Sequence, residues 1–381
     1  MPLIDSYNRV IDYLRVSVTD RCNFRCVYCM PEEGAPIAPK NQILTYEEIE
    51  RLVRIAVELG MSKVRLTGGE PLVRKDIDRL VQKIGALPGL CDFSMTTNGY
   101  LLARYAADFA RFGLHRINIS LDTLRPERFD RIARRGELAA VMAGIEAAMQ
   151  VGLWPIKINC VVMRGWNEDE VVDFARLTLG RPFDVRFIEL MPINWSKGDD
   201  SASEMAGFYA LSAQEGYRQN GSVAVFAKSE LESFRALRLT PAEEQRGQLN
   251  ARQMRRAFVS TAETRAQIEA ALGPLEAAAV LTNGPAQSFR LRGASGTIGF
   301  ISQITNDMCL SCNRLRLTAD GQLRPCLMAD GEVDLRTPLR SGASDESIAD
   351  LFRLTVQHKP REHRLEDGKA PIGRNMSQLG G

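Results

Sequence analysis

Six short β-prone runs alternate with amphipathic helical runs between residues 14 and 190, and that alternation restricts the fold of this chain more than any other feature. The runs are Leu14 to Val18, Lys63 to Leu66, Asp92 to Thr97, Arg116 to Leu121, Pro155 to Val162 and Asp184 to Leu190. Strands that alternate with helices pair in parallel, each helix serving as the crossover between two of them. The first helix is predicted over Thr45 to Leu59. There Ile49, Leu52, Val53, Ala56 and Val57 fall on one stripe, and Thr45 with Glu48 has the spacing of a capping box. The expected fold is α/β, an incomplete (βα)6 TIM-like barrel.

The predicted strands carry a pattern that a packed barrel would not. One parity is apolar: Leu14, Val16, Val18; Val64, Leu66; Ile117, Ile119, Leu121; Ile156, Ile158, Cys160. The other is polar: Arg15, Ser17, Thr19; Lys63, Arg65, Thr67; Ser94, Thr96, Asn98; Asn118, Ser120, Asp122; Lys157, Asn159. Side chains alternate across a strand, so the apolar set faces the helices and the polar set faces the lumen. Arg15, Lys63, Arg65, Lys157 and Arg186 outnumber the acids placed inside, chiefly Asp122 and Glu70. An unpaired buried charge is costly, so a polyanionic ligand is expected to complete the balance. In the competing reading these cations point to solvent at strand ends, which would have to hold for all five.

Eight cysteines divide into two trios and a remainder. Cys22, Cys26 and Cys29 follow the first strand, one ligand short of a closed metal site. A structural zinc site is closed by four protein side chains, whereas a cubane iron-sulfur cluster on three thiolates leaves one iron open to an exogenous chelator. A zinc knuckle with a distant fourth ligand is the alternative. Cys309, Cys312 and Cys326 form a second trio, and the nearest histidine in sequence, His358, lies 32 residues beyond Cys326. A second cluster with an open iron is the better reading of it than a zinc ribbon. Arg314 and Arg316 share parity on the strand that follows, and an Asp-Gly hairpin between Arg314–Thr318 and Gln322–Cys326 would bring Cys326 back beside the other two. Cys91 and Cys160 are expected to be small core residues.

A chain of 381 residues can bury a substantial core. The expected division is residues 1–191 as the barrel core, 192–283 as a connecting segment and 284–381 as a β-rich C-terminal region. In the middle segment Thr261 to Leu272 reads as a helix; in the last, Gln287 to Arg292 and Thr297 to Ile301 read as strands. No run approaches a membrane span in length and the first twenty residues lack a signal-peptide pattern, so a cytoplasmic protein with no membrane partner is expected. The formal net charge of +2 gives no basis for non-specific nucleic-acid binding.

The spacing C-x3-C-x2-C, with an aromatic residue directly before the last cysteine, resembles the signature of the radical S-adenosylmethionine (SAM) superfamily. The resemblance implies that SAM chelates the open iron through its methionine amino and carboxylate groups, and that an electron from the cluster cleaves it to methionine and a 5'-deoxyadenosyl radical. Joined to the second cysteine site, the Cys312-Asn-Arg-Leu-Arg316 run and a terminal Gly380-Gly381, the motif resembles the GTP 3',8-cyclase family of molybdenum cofactor biosynthesis. Supporting runs are Leu-Arg-Val-Ser-Val-Thr-Asp, Lys-Val-Arg-Leu-Thr-Gly-Gly-Glu-Pro, Thr-Thr-Asn-Gly, Asn-Ile-Ser-Leu-Asp, Arg-Phe-Ile-Glu-Leu-Met and Gly-Pro-Ala-Gln.

That resemblance implies a radical SAM type of barrel whose C-terminal extension carries a second [4Fe-4S] cluster. It places SAM at Tyr28, Gly69, Ser120 and Met191, the glycine allowing close backbone approach. It places GTP at Arg15, Arg65, Thr96 and Lys157, with Lys63 and Arg186 as further triphosphate partners. Arg314, Leu315 and Arg316 would lie beside the guanine on the second cluster, and Gly380-Gly381 would enter the active site. The implied reaction takes hydrogen from C3' of the ribose, closes C3' onto C8 of guanine, and reduces and protonates the resulting aminyl radical, with Arg15 nearest that last step and Arg314 and Arg316 also assigned to catalysis. The product is (8S)-3',8-cyclo-7,8-dihydroguanosine 5'-triphosphate. Implied partners are an electron donor such as a flavodoxin or ferredoxin and a downstream cyclic pyranopterin monophosphate synthase; a homodimer is compatible. The stretch between Met191 and Gly284 has about twice the length expected of the family, an insertion of a kind that connections tolerate. The alternatives are a radical SAM peptide-modifying enzyme with an auxiliary cluster and a non-catalytic metal-binding interaction protein.

Overall fold

The computed structural model describes residues 2–191, 249, 251–279, 284–305, 308–329, 331–363, 374 and 376–379. Gly380, Gly381 and most of the expected insertion lie outside the described residues. The six expected strands are β1 (Tyr13–Ser17), β2 (Lys63–Thr67), β3 (Asp92–Thr97), β4 (Arg116–Ser120), β5 (Lys157–Val162) and β6 (Asp184–Glu189). Each pairs in parallel with the next in chain order. The crossovers carry α1 (Tyr46–Glu58), α2 (Ile77–Gly85), α3 (Leu102–Arg111), α4 (Pro126–Ala133), α5 (Leu138–Gln150) and α6 (Val171–Gly180). At the start of α1 the Glu48 N–H donates to Thr45 Oγ1 at 3.2 Å and the Thr45 N–H donates to Glu48 Oε2 at 2.7 Å, so the capping box forms.

The apolar parity packs as expected. Leu14, Val16, Val64, Leu66, Ile117, Ile119, Ile156 and Ile158 have no solvent exposure and join one core with Ile49, Leu52 and Val53 of α1. Cys160 belongs to that core, but Cys91 is exposed, because it lies one residue before β3 begins.

Sequence order misleads over the later strands. β7 (Leu275–Ala277), β8 (Gln287–Leu291), β9 (Thr297–Ile301), β10 (Arg314–Leu317), β11 (Gln322–Arg324) and β12 (Val333–Asp334) do not form a separate extension. They lengthen both edges of the same sheet, whose order is β12-β11-β10-β1-β2-β3-β4-β5-β6-β9-β8-β7. β10 adds in parallel to β1 and β9 adds in parallel to β6. The physical reason is that the edges of a six-stranded open sheet present unpaired N–H and C=O groups, which later strands satisfy.

Glu189, buried at the end of β6, fixes one of these additions. Its carboxylate accepts from the Thr261 N–H at 3.1 Å and from the Ile304 and Thr305 N–H groups at 3.0 Å each. It therefore ties the expected helix, which begins at Thr261 and ends at Leu272, to the loop that follows β9. Burial raises the Glu189 carboxyl and these donors work against that shift. Glu189→Ala leaves three buried N–H groups without an acceptor and is expected to cost at least about 3 kcal/mol in urea unfolding. Glu346→Ala, which removes an exposed ion pair with Arg353, is expected to change stability by less than about 0.5 kcal/mol.

Candidate active site

The first cysteine trio lies in the loop that leaves β1. The Arg25 N–H donates to Ala133 O at 2.9 Å and the Val27 N–H to Ile132 O at 3.0 Å, so the loop is laced to the end of α4. Phe24 anchors it edge-on between Tyr100 and Phe129, at centroid distances of 5.8 and 5.5 Å. Glycines set its approach to β2. A Cβ on Gly68 would lie 2.4 Å from Thr19 O, and one on Gly69 would lie 2.2 Å from Arg21 O. The Gly69 N–H itself donates to Thr19 O at 2.7 Å. The glycine pair is thus required by backbone packing against the cysteine loop, a demand distinct from the ligand approach that the sequence suggested.

Two buried carboxylates steady the walls. Glu70 accepts from the Leu72 N–H at 2.9 Å, Thr97 Oγ1 at 2.7 Å and the Asn98 N–H at 2.6 Å, and burial pushes it up to about 7 against those donors. Asp122 accepts from Tyr28 Oη and from the Val161 N–H, both at 2.9 Å, and burial raises it to about 6. Burial also lifts the thiols, Cys22 and Cys29 to about 12 and Cys26 well above its usual value. Thiolates at these positions need a cationic partner in the site.

The cavity in front of this loop is lined by Cys22, Cys26, Cys29, Tyr28, Gly69, Ser120 and Met191. Arg15, Arg65, Thr96, Arg186, Arg314 and Arg316 line it as well. Strand register explains their grouping: Arg316 of β10 pairs with Arg15 of β1, and Arg15 pairs with Arg65 of β2. Three guanidinium-bearing positions stand side by side at the strand spacing of about 4.8 Å. Such like-charge neighbours destabilise a sheet unless something neutralises them. Burial lowers Arg15 and Arg65 to about 9 and Arg316 to about 10, with repulsion adding from Arg316 at Arg15, from Arg15 at Arg65 and from Arg314 at Arg316. All three remain protonated at neutral pH. Arg65 is oriented by neutral groups, donating to Ser94 Oγ at 3.1 Å and lying 5.3 Å above the Tyr13 ring.

Other expected cations are already neutralised. Lys63 Nζ lies 2.6 Å from Asp12 Oδ2 at the start of β2, and Lys157 Nζ lies 3.3 Å from Asp184 Oδ2. Neither is among the residues lining the cavity. Arg186 lines it but also pairs with Asp184 at 2.6 Å. The surplus of five is therefore smaller than expected, because Asp12 and Asp184 were not counted. Leu315 points its side chain into the core and is fully buried there, so only its backbone could serve a ligand.

The second trio lines a smaller pocket that shares Gln303, Arg314, Arg316 and Leu327 with the main cavity. The hairpin forms as expected, Arg316 opposite Arg324 and Leu317 opposite Leu323, and it returns Cys326 to Cys309 and Cys312. Burial opposes ionisation of Cys312, but Lys359 and Arg314 overcome it and bring the thiol down to about 7. The pocket holds His363 in place of the exposed His358, which is nearer in sequence.

A family model described as the Radical SAM superfamily matches residues 16–178, and one described as Molybdenum Cofactor Synthesis C matches residues 239–365. The chain is 46% identical over 380 residues to a GTP 3',8-cyclase of Heliobacterium modesticaldum, covering 100% of each chain. It is 44% identical over 379 residues to a GTP 3',8-cyclase of Moorella thermoacetica, covering 99% of each. The chain belongs to the GTP 3',8-cyclase family.

Radical SAM membership implies one [4Fe-4S] cluster and SAM, and the first cysteine loop fits them. It offers three thiols and no fourth ligand, facing a cavity where Thr96 Oγ1 and Asn159 Oδ1 are buried without a hydrogen-bond partner. Within this cyclase-family site, sequence reasoning missed Tyr13, because the predicted first strand began one residue late. It also missed Gln303, Met376 and Ser377, which line the cavity from segments with no periodic signal. Gly69→Ala is expected to destabilise the chain by about 1–3 kcal/mol, since its Cβ would meet backbone that cannot give way. Gly180→Ala, with nothing within 4 Å of the added Cβ, should be neutral or stabilising; equal urea midpoints for the two variants would contradict this account of the glycine pair.

Proposed function

We propose that the protein is a radical SAM GTP 3',8-cyclase that converts GTP to (8S)-3',8-cyclo-7,8-dihydroguanosine 5'-triphosphate, the first step of molybdenum cofactor biosynthesis. The observation that carries this reading is the in-register row Arg316, Arg15 and Arg65, which lines the cavity of the first cysteine trio and, through Arg316, borders the adjoining pocket of the second. A polypeptide substrate has no need of such a row; a nucleoside triphosphate does. The sheet is read as the incomplete (βα)6 barrel expected from sequence, residues 1–191 forming its core and residues 284–381 bringing a second [4Fe-4S] cluster on Cys309, Cys312 and Cys326.

When bound on Cys22, Cys26 and Cys29, the first cluster and SAM supply the 5'-deoxyadenosyl radical. The chain's own residues do the rest by placement. Tyr28, Gly69, Ser120 and Met191 form the SAM side; Arg65, Arg186 and Thr96 hold the triphosphate and ribose, with Lys157 behind them, sharing Asp184 with Arg186; Arg314 and Arg316 orient the purine at the second trio. Holding GTP at both ends fixes C3' against the radical source and C8 within reach of C3'. Arg15, central in the row, is assigned the position nearest the reduction step. A flavodoxin- or ferredoxin-type donor supplies electrons, and a cyclic pyranopterin monophosphate synthase uses the product.

The decisive assay supplies anaerobically reconstituted protein with SAM, reductant and either GTP or ATP. Formation of 5'-deoxyadenosine and a cyclised nucleotide with GTP alone is expected; deoxyadenosine without a cyclised product would sink the cyclase reading. A pH test probes the triphosphate site. Burial, then repulsion from Arg186, brings Lys157 down to about 6. Below pH 6 the free protein already holds this proton. Above pH 6, a triphosphate bound at Arg186 favours the protonated form of Lys157 behind it, so affinity is expected to fall as pH rises, by at most about tenfold per unit. Calorimetry of GTP binding without SAM or reductant checks this, and Lys157→Arg, which stays charged, should flatten the profile.

A further inference from the structure

Lys359 follows the helix Asp345–Gln357 and is only 3% exposed. Its ammonium has three donors and uses all three: Pro325 O at 2.6 Å, Arg314 O at 2.8 Å and Cys312 Sγ at 3.4 Å. The acceptors belong to separate pieces of the second cysteine site. Cys312 ends one cysteine-bearing turn, Arg314 opens β10, and Pro325 directly precedes Cys326. A single side chain thus spans the gap between the two segments that carry the trio.

The backbone beside Lys359 is itself held. Arg9, from the N-terminal hook, donates through Nη2 to Pro360 O at 2.6 Å and through Nη1 to Arg361 O at 2.9 Å and Cys309 O at 2.6 Å. Its Nε is paired with Asp5 Oδ2 at 2.6 Å. Arg9 therefore has its carboxylate. Lys359 has none among the described residues, and a buried ammonium without a negative partner is costly. The negative group within its reach is whatever the cysteine sulfurs carry.

We propose that Lys359 is a positioning residue of the second cysteine site, locking Cys312 to the Cys326 segment and, by its charge and its N–H···S bond, favouring the reduced state of the cluster held there. This rests on the reading of Cys309, Cys312 and Cys326 as cluster ligands. One-electron reduction by an external donor adds one negative charge to the cluster, and a buried ammonium beside a ligand sulfur stabilises that charge.

The test uses the full chain with Cys22, Cys26 and Cys29 replaced by Ala, so that only the second trio can be loaded with iron and sulfide. Lys359, Lys359→Met and Lys359→Arg forms are compared by iron and sulfide content, by chelator competition and by redox titration followed by electron paramagnetic resonance. Lys359→Met is expected to yield iron at about 10- to 100-fold lower chelator concentration and to show a more negative midpoint potential. Lys359→Arg should restore most of both. If the Lys359 form assembles no cluster, the second-cluster reading fails and the proposal falls with it. A cluster with unchanged potential and chelator resistance in Lys359→Met overturns the proposal alone. So does equal loss of both clusters when Lys359→Met is placed in the chain with both trios intact, because that marks a general loss of fold.

Discussion

Like charges held in register across parallel strands are the constraint around which this molecule is organised. Arg316, Arg15 and Arg65 occupy paired positions on β10, β1 and β2, facing a cavity rather than solvent. Toward the strand starts on the same face other cations have a carboxylate at hand: Asp12 for Lys63, Asp92 for Arg116, Asp184 for Lys157 and Arg186. Local neutralisation near the strand starts leaves the surplus concentrated at one place. Charges buried away from bulk water act on one another more strongly than they would in water, so this row is unfavourable unless an anion balances it.

The surrounding loops are held by a second recurring device, a buried carboxylate at the end of a strand that accepts N–H groups from its neighbours. Glu70 after β2 secures the end of β3, Asp122 after β4 secures β5 and Tyr28, and Glu189 at the end of β6 secures the helix start at Thr261 and the loop after β9. In each case the loop beyond the strand is the part that must be precise for a ligand, and a carboxylate with several donors fixes it more firmly than apolar packing would. The cysteine loop adds a steric form of the same control, since Gly68 and Gly69 let it lie directly against β2.

Much of this was legible in the chain itself. The strand-helix alternation, the capping box at Thr45, the hairpin that returns Cys326 and the polar parity of Arg15, Arg65 and Thr96 all appear where the sequence placed them. Cys91 did not, because a residue just outside a strand reads like one just inside it. Asp184 shares the parity of Arg186, and its pairing with Lys157 could have been anticipated; Asp12 precedes its strand and could not. Lys359 and Arg9 gave no signal at all, since what makes them important is contact with cysteine segments tens to hundreds of residues away.

The sequence by itself determined the repeating unit, the face of each strand that lines the cavity and the two sets of three thiols, because these are written in neighbouring residues and follow from the periods of helix and strand. Only the tertiary structure decided that β10 and β9 close onto the two edges of the core sheet, that three arginines stand in one row, and that one lysine spans the second cysteine site. Register and edge pairing are settled by packing and hydrogen bonding between distant segments, and no local pattern encodes which distant partner an open strand edge will take.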